Sequence, residues 1–298
     1  DDASRDATAA VAERHADRVL ALHGDPVGPG GARNVAAGVA RGAWLVFVDA
    51  DVRLHPDALQ RFADTIDGAD ARLVALFGSY DAHPAAPGVV SQYRNLLHRY
   101  THLQGTGESE TFWAGCGAVR RSAFEAIGGF DTARFPRPQI EDIDLGYRLR
   151  DQGGRIVLDP SIQGTHLKRW RLGAMLRTDV LDRGIPWMRL LLERRGRTTP
   201  TLNTGGLEPL RVALAGVGTT TLVAAVVLAQ PAIAAAGVVS FGLLAVMNLP
   251  ASRWFARERG VAFALQVVPL QLLHYIGNAA AAAIGIVQHL TRASGGNR

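Results

Sequence analysis

The stretch Trp44-Leu45-Val46-Phe47-Val48-Asp49-Ala50-Asp51 decides how this chain folds. Five consecutive apolar residues bounded by Gly42 and Asp49 show no alternation and are too few for a helix. They predict a strand buried on both faces of a parallel sheet. Two carboxylates one residue apart close the run. Where a strand ends the chain leaves the sheet, so both side chains can turn toward the crevice in which open α/β sheets bind ligands. Hard oxygen donors of this kind suit Mg²⁺ or Mn²⁺ carried together with substrate phosphates, although a loop or capping pair reads the same way in sequence.

Working outward, residues 6–22 have helical spacing of Ala, Val and Leu behind Ser4 and Asp6, which can serve as caps. His23 to Gly31 holds four glycines and two prolines and predicts a loop, with a short helix over Ala32 to Arg41. Beyond the carboxylates, Pro56 and Asp57 open a helix whose Leu59, Phe62 and Ile66 share one face. A strand follows over 72–77. Val89, Tyr93, Leu96, Leu97 and Tyr100 mark an amphipathic helix. Phe112 to Val119 predicts a strand, Ser122 to Ile127 a helix stopped by Gly128-Gly129, Asp142 to Arg150 another helix, and Arg155 to Leu158 a strand. Alternation of this kind predicts an α/β fold, a mostly parallel sheet sandwiched by helices.

Charge divides the chain. Of its 298 residues, 212–252 and 260–291 contain no Asp, Glu, Lys or Arg. The runs 212–229 and 232–250 are each long enough, at roughly 1.5 Å per helical residue, to cross a hydrocarbon layer, with Gln230-Pro231 as the turn between them. The third run, 261–288, carries Pro269, Gln271, His274 and Asn278 and either spans or lies partly in the interface. The net charge of +5 arises from basic residues concentrated between Lys168 and Arg197. Anionic headgroups, at roughly 1 kcal/mol per basic residue near the surface, explain that placement, and no nucleic-acid partner is expected. Residues 167–193, with Trp170, Leu172, Met175, Leu176, Val180, Leu181, Ile185, Trp187, Leu190 and Leu191 among arginines, read as interfacial, broken by Pro186. Arg253, Arg257 and Arg259 lie on the same side as Arg211, which predicts a cytosolic front domain by the positive-inside rule. The single cysteine, Cys116, excludes an internal disulfide and reads as a small packed residue between Gly115 and Gly117.

Several further segments fall in one order. They are Asp1-Asp2-Ala3-Ser4-Arg5-Asp6-Ala7-Thr8, Gly31-Ala32-Arg33-Asn34, Phe47-Val48-Asp49-Ala50-Asp51, Ala118 to Ser122 with Gly128-Gly129-Phe130-Asp131, and Glu141-Asp142-Ile143-Asp144-Leu145. This series, over roughly residues 1–170, resembles the family-2 glycosyltransferases, inverting enzymes of the GT-A fold that include dolichyl-phosphate mannose synthase and the cellulose and hyaluronan synthases.

The resemblance implies that Asp1 or Asp2 and Arg33 hold the nucleotide base and phosphates, Asp49 the ribose or sugar, and Asp51 the metal together with Asp49. Asp142, beside Glu141, would be the general base. His166 would help bind the metal or diphosphate, and Lys168 and Arg169 would clamp the diphosphate. Processive synthases carry Q-x-x-R-W here, with the tryptophan beneath the acceptor sugar. This chain has His166-Leu167-Lys168-Arg169-Trp170, which favours one or few transfers over polymerisation. The first strand and helix of the GT-A fold are expected to be missing, leaving an open apolar sheet flank and an incomplete nucleotide pocket. Asp142 sits between Glu141 and Asp144, like charges that raise its basicity, and a helix N-terminus that opposes the shift.

The expected organisation is a catalytic domain over 1–165, an interfacial amphipathic segment over 166–206 and a membrane domain over 207–298. The expected activity is metal-dependent, inverting transfer from a nucleotide-diphospho-sugar to a hydroxyl or phosphate acceptor, lipid-linked or membrane-associated, at the cytosolic face of the cytoplasmic membrane. A processive polysaccharide synthase and a non-catalytic nucleotide-sugar-binding scaffold in the membrane are the alternatives.

Overall fold

The computed structural model describes residues 1–197, 199 and 201–295. The chain divides into two compact units, one of Asp1–Gly78 with Gly107–Ile162 and one of Ser79–Thr106 with Gln163–Arg298. This division differs from the three consecutive segments read from composition, since it groups residues 79–106 with the C-terminal part of the chain.

The first unit is α/β, as expected. Its elements are α1 (Thr8–Ala12), α2 (Gly28–Val39), β1 (Trp44–Val48), β2 (Val52–Leu54), α3 (Ala58–Asp67), β3 (Leu73–Tyr80), then β4 (Gly107–Ser109), β5 (Cys116–Arg120), α5 (Arg121–Ala126), α6 (Glu141–Asp151) and β6 (Arg155–His166); α4 (Val89–Gln104), between β3 and β4 in the chain, belongs to the second unit. The six strands form one sheet in the order β1-β5-β3-β6-β2, with β4 paired to β6. Its pairing is mixed where mostly parallel neighbours were expected. β5 inserts between β1 and β3 and runs antiparallel to both, with Val46 opposite Ala118 and Leu76 opposite Ala118 on its other side. β4 is antiparallel to β6. β3 and β6 run parallel, tied by the Arg155 N–H to Arg72 O and the Asp81 N–H to Gly164 O.

A second departure concerns the faces of β1, an edge strand: Val46 and Val48, on one face, are 41% and 40% exposed, while Leu45 and Phe47, on the other, are buried. The strands buried on both faces are β3 and β5. Helix boundaries shift for local reasons. α1 keeps five residues of the expected seventeen-residue pattern and buries none of them, so no packing face sustains it. α2 begins four residues early, at Gly28, because Pro29 suits the first turn and the Asp2 carboxylate accepts the N–H groups of Val27 and Gly28 at 2.8 and 2.9 Å. On α3, Phe62 is buried but Leu59 is exposed. β6 continues through to His166 instead of ending at Leu158.

In the second unit α4 is followed by α7 (Leu172–Arg177), a π-helical turn (Thr178–Gly184), α8 (Ile185–Glu193), α9 (Glu208–Val227), α10 (Pro231–Met247), α11 (Leu249–Arg259) and α12 (Val261–Gly295). Pro186 produces a widened turn in place of a sharp break, since the π geometry before it relieves the clash of its ring with the preceding carbonyls. A core of Tyr93, Leu96, Met175, Phe255 and Val267 joins α4, α7, α11 and α12. α9 and Val261–Arg292 of α12 are long and apolar enough to cross a membrane. The second apolar run is helical to Met247 and then bends by 51° into α11, so the bent pair counts as a third span only if it acts as one. Pro269 lies inside α12 without ending it.

An ionic network is buried in this unit. Arg94 of α4 meets Asp179 of the π turn at 2.7 Å, and the other oxygen of Asp179 faces His274 Nδ1 at 3.5 Å. Burial alone would raise the Asp179 carboxyl, but Arg94, His274 and Arg183 outweigh it and hold the group down to about 2. With the folded-state value below the ordinary one, the ionised carboxylate stabilises the fold above about pH 4 and that contribution fades as the pH falls toward 2. Asp179→Asn should therefore cost about 2 kcal/mol at pH 7 and flatten the pH dependence of stability between pH 4 and 2. Thermal unfolding of the detergent-solubilised protein across that range measures both effects.

Candidate active site

The carboxylate pair that closes β1 sits in a tight turn. The Val52 N–H returns to Asp49 O at 2.9 Å, and the Asp49 N–H donates to Gly115 O at 3.1 Å, which fixes the turn against the segment before β5. Arg33 of α2 reaches across to this turn. Its Nη2 meets Asp49 Oδ1 at 2.5 Å and its Nη1 meets Glu141 Oε1 at 3.3 Å. Burial pulls the guanidinium down, but Asp49, Asp142 and Glu141 more than compensate and raise its affinity for its proton. One cation therefore joins the β1 turn to the start of α6.

Asn34, the next residue, performs a different task. Its side chain accepts the Phe130 N–H and donates to Phe130 O, both at 2.9 Å. Gly129, at φ 68°, passes so close that a Cβ would stand 2.5 Å from Asn34 Oδ1. Phe130 then packs with Phe47 and Phe124, centroids 5.5 Å apart in each pair, beneath the Arg33 guanidinium.

α6 opens with three acidic residues in its first turn, where the helix dipole favours negative charge. Glu141 is buried, its second oxygen accepting the Gln139 N–H at 2.9 Å. Asp142 accepts the Ile143 N–H at 2.9 Å and the Ala114 N–H at 3.3 Å, bonds that a carboxylate makes and a carboxylic acid makes poorly. Asp144 is committed to Arg148 at 2.7 Å. Gly146 lets the helix approach the Thr111-Phe112 backbone, since a Cβ there would lie 2.4 Å from Phe112 N.

The structure thus brings together Arg33, Asp49, Glu141 and Asp142, with Asp51 two residues from Asp49. The Asp2 carboxylate accepts the backbone N–H groups at the α2 N-terminus. Asp1 accepts the Ser4 N–H at 3.1 Å and pairs through its backbone with Leu22. Glu141, expected beside Asp142 as a catalytic group, has both oxygens engaged. Among the described residues no three of His, Cys, Asp and Glu converge as a metal cage.

The remaining expected residues lie in the second unit. His166 is buried at the end of β6, stacked on Tyr80 at 4.3 Å, with Nδ1 against Asn95 Oδ1. Lys168 Nζ stands 4.5 Å from the Trp170 ring centroid, and Arg94 approaches the same ring at 5.7 Å. Arg169 and Trp170, with Arg171 and Pro87 to Ser91, line an open groove of about 320 Å³. Sequence reasoning missed the Asn34 staple, the Trp113–Gly115 segment that contacts both Asp49 and Asp142, and the polar face of α4. The first two are marked only by clustered glycines, and the third only by its spacing. Cys116 is a packed residue as expected, its thiol pushed up to about 12 by burial.

Residues 1–128 match the family model described as Glycosyl transferase family 2. A succinoglycan biosynthesis protein, ExoO, of Rhizobium meliloti (strain 1021) is 42% identical over 76 residues, which is 24% of this chain and 22% of that protein. The chain thus spans about a fifth of the length of this relative. Among solved structures, a mannosyltransferase from Pyrobaculum calidifontis in complex with GDP-Man and Mn²⁺ aligns over 97% of this chain and 76% of its own, at 21% identity and a TM-score of 0.51. TarS from S. aureus in complex with UDP-GlcNAc aligns over 98% and 81%, at 16% identity and a TM-score of 0.46. The mixed α/β fold, the ordered segments and the family match agree: the chain carries a glycosyl transferase family 2 domain, over residues 1–128, on a GT-A type fold.

Proposed function

We propose that this family-2 glycosyltransferase moves a sugar from a nucleotide-diphospho-sugar to an acceptor held at a membrane, with inversion at the anomeric carbon. The observation that carries the reading is Asp142. Its two oxygens are oriented by the backbone N–H groups of Ile143 in α6 and Ala114 before β5, and its neighbour Glu141 receives the Arg33 bridge that fixes Asp49. In the proposed step an acceptor oxygen attacks the anomeric carbon, Asp142 takes the acceptor proton, and the bond to the diphosphate breaks with its electron pair on the leaving group.

Asp49 and Arg33 would hold the ribose and phosphates, with Asp1 or Asp2 near the base. The donor set suits a cation that arrives with its substrate. Mg²⁺ or Mn²⁺ bound through one or two carboxylates and substrate phosphates needs no third protein ligand, and Asp51 with Asp49 supplies such a pair. When bound, the ion would neutralise charge on the departing diphosphate. From the second unit, Lys168 and Arg169 are proposed as diphosphate contacts, Trp170 as an acceptor-sugar platform, and His166 as a metal or diphosphate contact.

A lipid-linked or membrane-associated acceptor is supported by the two or three apolar helices that follow. The basic residues Arg253, Arg257 and Arg259 support a cytosolic catalytic side at the cytoplasmic membrane. A single or short transfer is favoured over processive synthesis because His166 stands where the processive motif has glutamine.

Asp142→Asn should lower turnover by about 10²–10⁴-fold while leaving nucleotide affinity intact. A panel of UDP-glucose, UDP-galactose, UDP-N-acetylglucosamine and GDP-mannose, assayed for transfer and for binding by calorimetry, checks this; unchanged turnover removes the base assignment. Chelation with EDTA should abolish transfer, and Mn²⁺ or Mg²⁺ should restore it. Arg33→Met should destabilise the protein by about 3 kcal/mol, because buried Glu141 loses its counter-charge. A thermal midpoint lowered relative to wild type is the expected signature.

A further inference from the structure

α4 has two faces, and only one of them is hydrophobic. Tyr93 and Leu96 enter the apolar core of the second unit. Ser91, Arg94 and Asn95, at i, i+3 and i+4, form a neighbouring polar stripe, with Ser91 and Asn95 each 1% exposed. Every member of the stripe contacts the same short segment, His166 to Trp170. Ser91 Oγ accepts the Trp170 N–H at 2.9 Å and donates to Trp170 O at 3.3 Å. Arg94 lies against the Trp170 ring and is itself fixed by Asp179. Asn95 Oδ1 meets His166 Nδ1.

We infer that Ser91, Arg94 and Asn95 are positioning residues that hold His166 and Trp170 in register, and that Asn95 sets the histidine tautomer. An amide oxygen can only accept, so Nδ1 is the ring nitrogen that must carry a proton. The π face of His166 is clamped by Tyr80, which leaves the imidazole no freedom to trade one edge for the other. Asn95 Nδ2 is buried with no hydrogen-bond partner. A donor left unsatisfied in this way costs stability, which is expected where the residue is retained for its oxygen and not for its amide. The consequence for catalysis rests on the proposed role of His166 and Trp170 as substrate contacts; the positioning itself does not.

The test uses the full chain in nanodiscs, labelled with ¹⁵N-histidine, as wild type, Asn95→Leu and Asn95→Asp, with His166→Gln to assign the resonance. The expected result is a proton on His166 Nδ1 in wild type and in Asn95→Asp, whose carboxylate still accepts, and a mixed tautomer in Asn95→Leu. Transfer measured on the same sugar-nucleotide panel should fall about 10–100-fold in Asn95→Leu and recover in Asn95→Asp, as for other groups that orient a functional histidine. An Nε2-protonated His166 in wild type, or identical spectra in all three proteins, overturns the inference. If the tautomer changes as expected while His166→Gln transfers at the wild-type rate, the positioning stands and the substrate role of His166 fails.

Discussion

A single guanidinium sets the geometry of the first unit. Arg33 lies between Asp49, at the end of the edge strand, and Glu141, at the start of α6, and each carboxylate on its own would be a buried or half-buried charge with nothing to offset it. Two carboxylates facing one cation are mutually tolerable; without it they would repel and the β1 turn would separate from the helix. The positions of Asp51 and Asp142 follow from this contact, because each is covalently adjacent, or nearly so, to a residue the guanidinium holds. The bridge therefore does more than neutralise charge. It carries the geometric information that residues about ninety positions apart in sequence must share one crevice.

What the chain reveals before folding depends on whether a property is periodic or paired. The apolar run Trp44 to Val48, the amphipathic spacing of Val89 to Tyr100 and the uncharged C-terminal stretches are local patterns, and they became a strand and helices, although β1 leaves one face exposed and the second apolar run bends after Met247. The carboxylate pair and the Glu141-Asp142 start of α6 were legible because short spacing and helix-start chemistry are local. Pairings are not. Nothing in Asn34 announces two hydrogen bonds to Phe130, and nothing in Asp2 announces that it caps α2 from the far side of a loop. The exposed face of β1 was hidden for the same reason: a run of apolar residues cannot say whether another element will cover each face of its strand.

The second unit shows how one helix can satisfy two demands. α4 contributes aromatic and aliphatic side chains to a core shared with α11 and α12, and a polar stripe to the segment after β6. Hydrophobic spacing drew attention to the first face and away from the second, since a buried serine and asparagine and a partly buried arginine look like solvent-facing residues until their partners are known. The same logic explains the π turn. Asp179 must point back to Arg94 while Pro186 denies the chain an ordinary helical path, and one widened turn reconciles both requirements.

Cys116 opens β5, between β1 and β3, flanked by glycines and sealed from solvent, with a thiol whose proton affinity burial raises. Alkylating dyes, spin labels and mild oxidants all require a thiolate they can reach, and this one presents neither ionisation nor access. This chain is in effect a cysteine-free background. Reporter thiols can be installed at chosen surface sites, on the polar loops or along the apolar helices, and followed individually without first removing the natural residue.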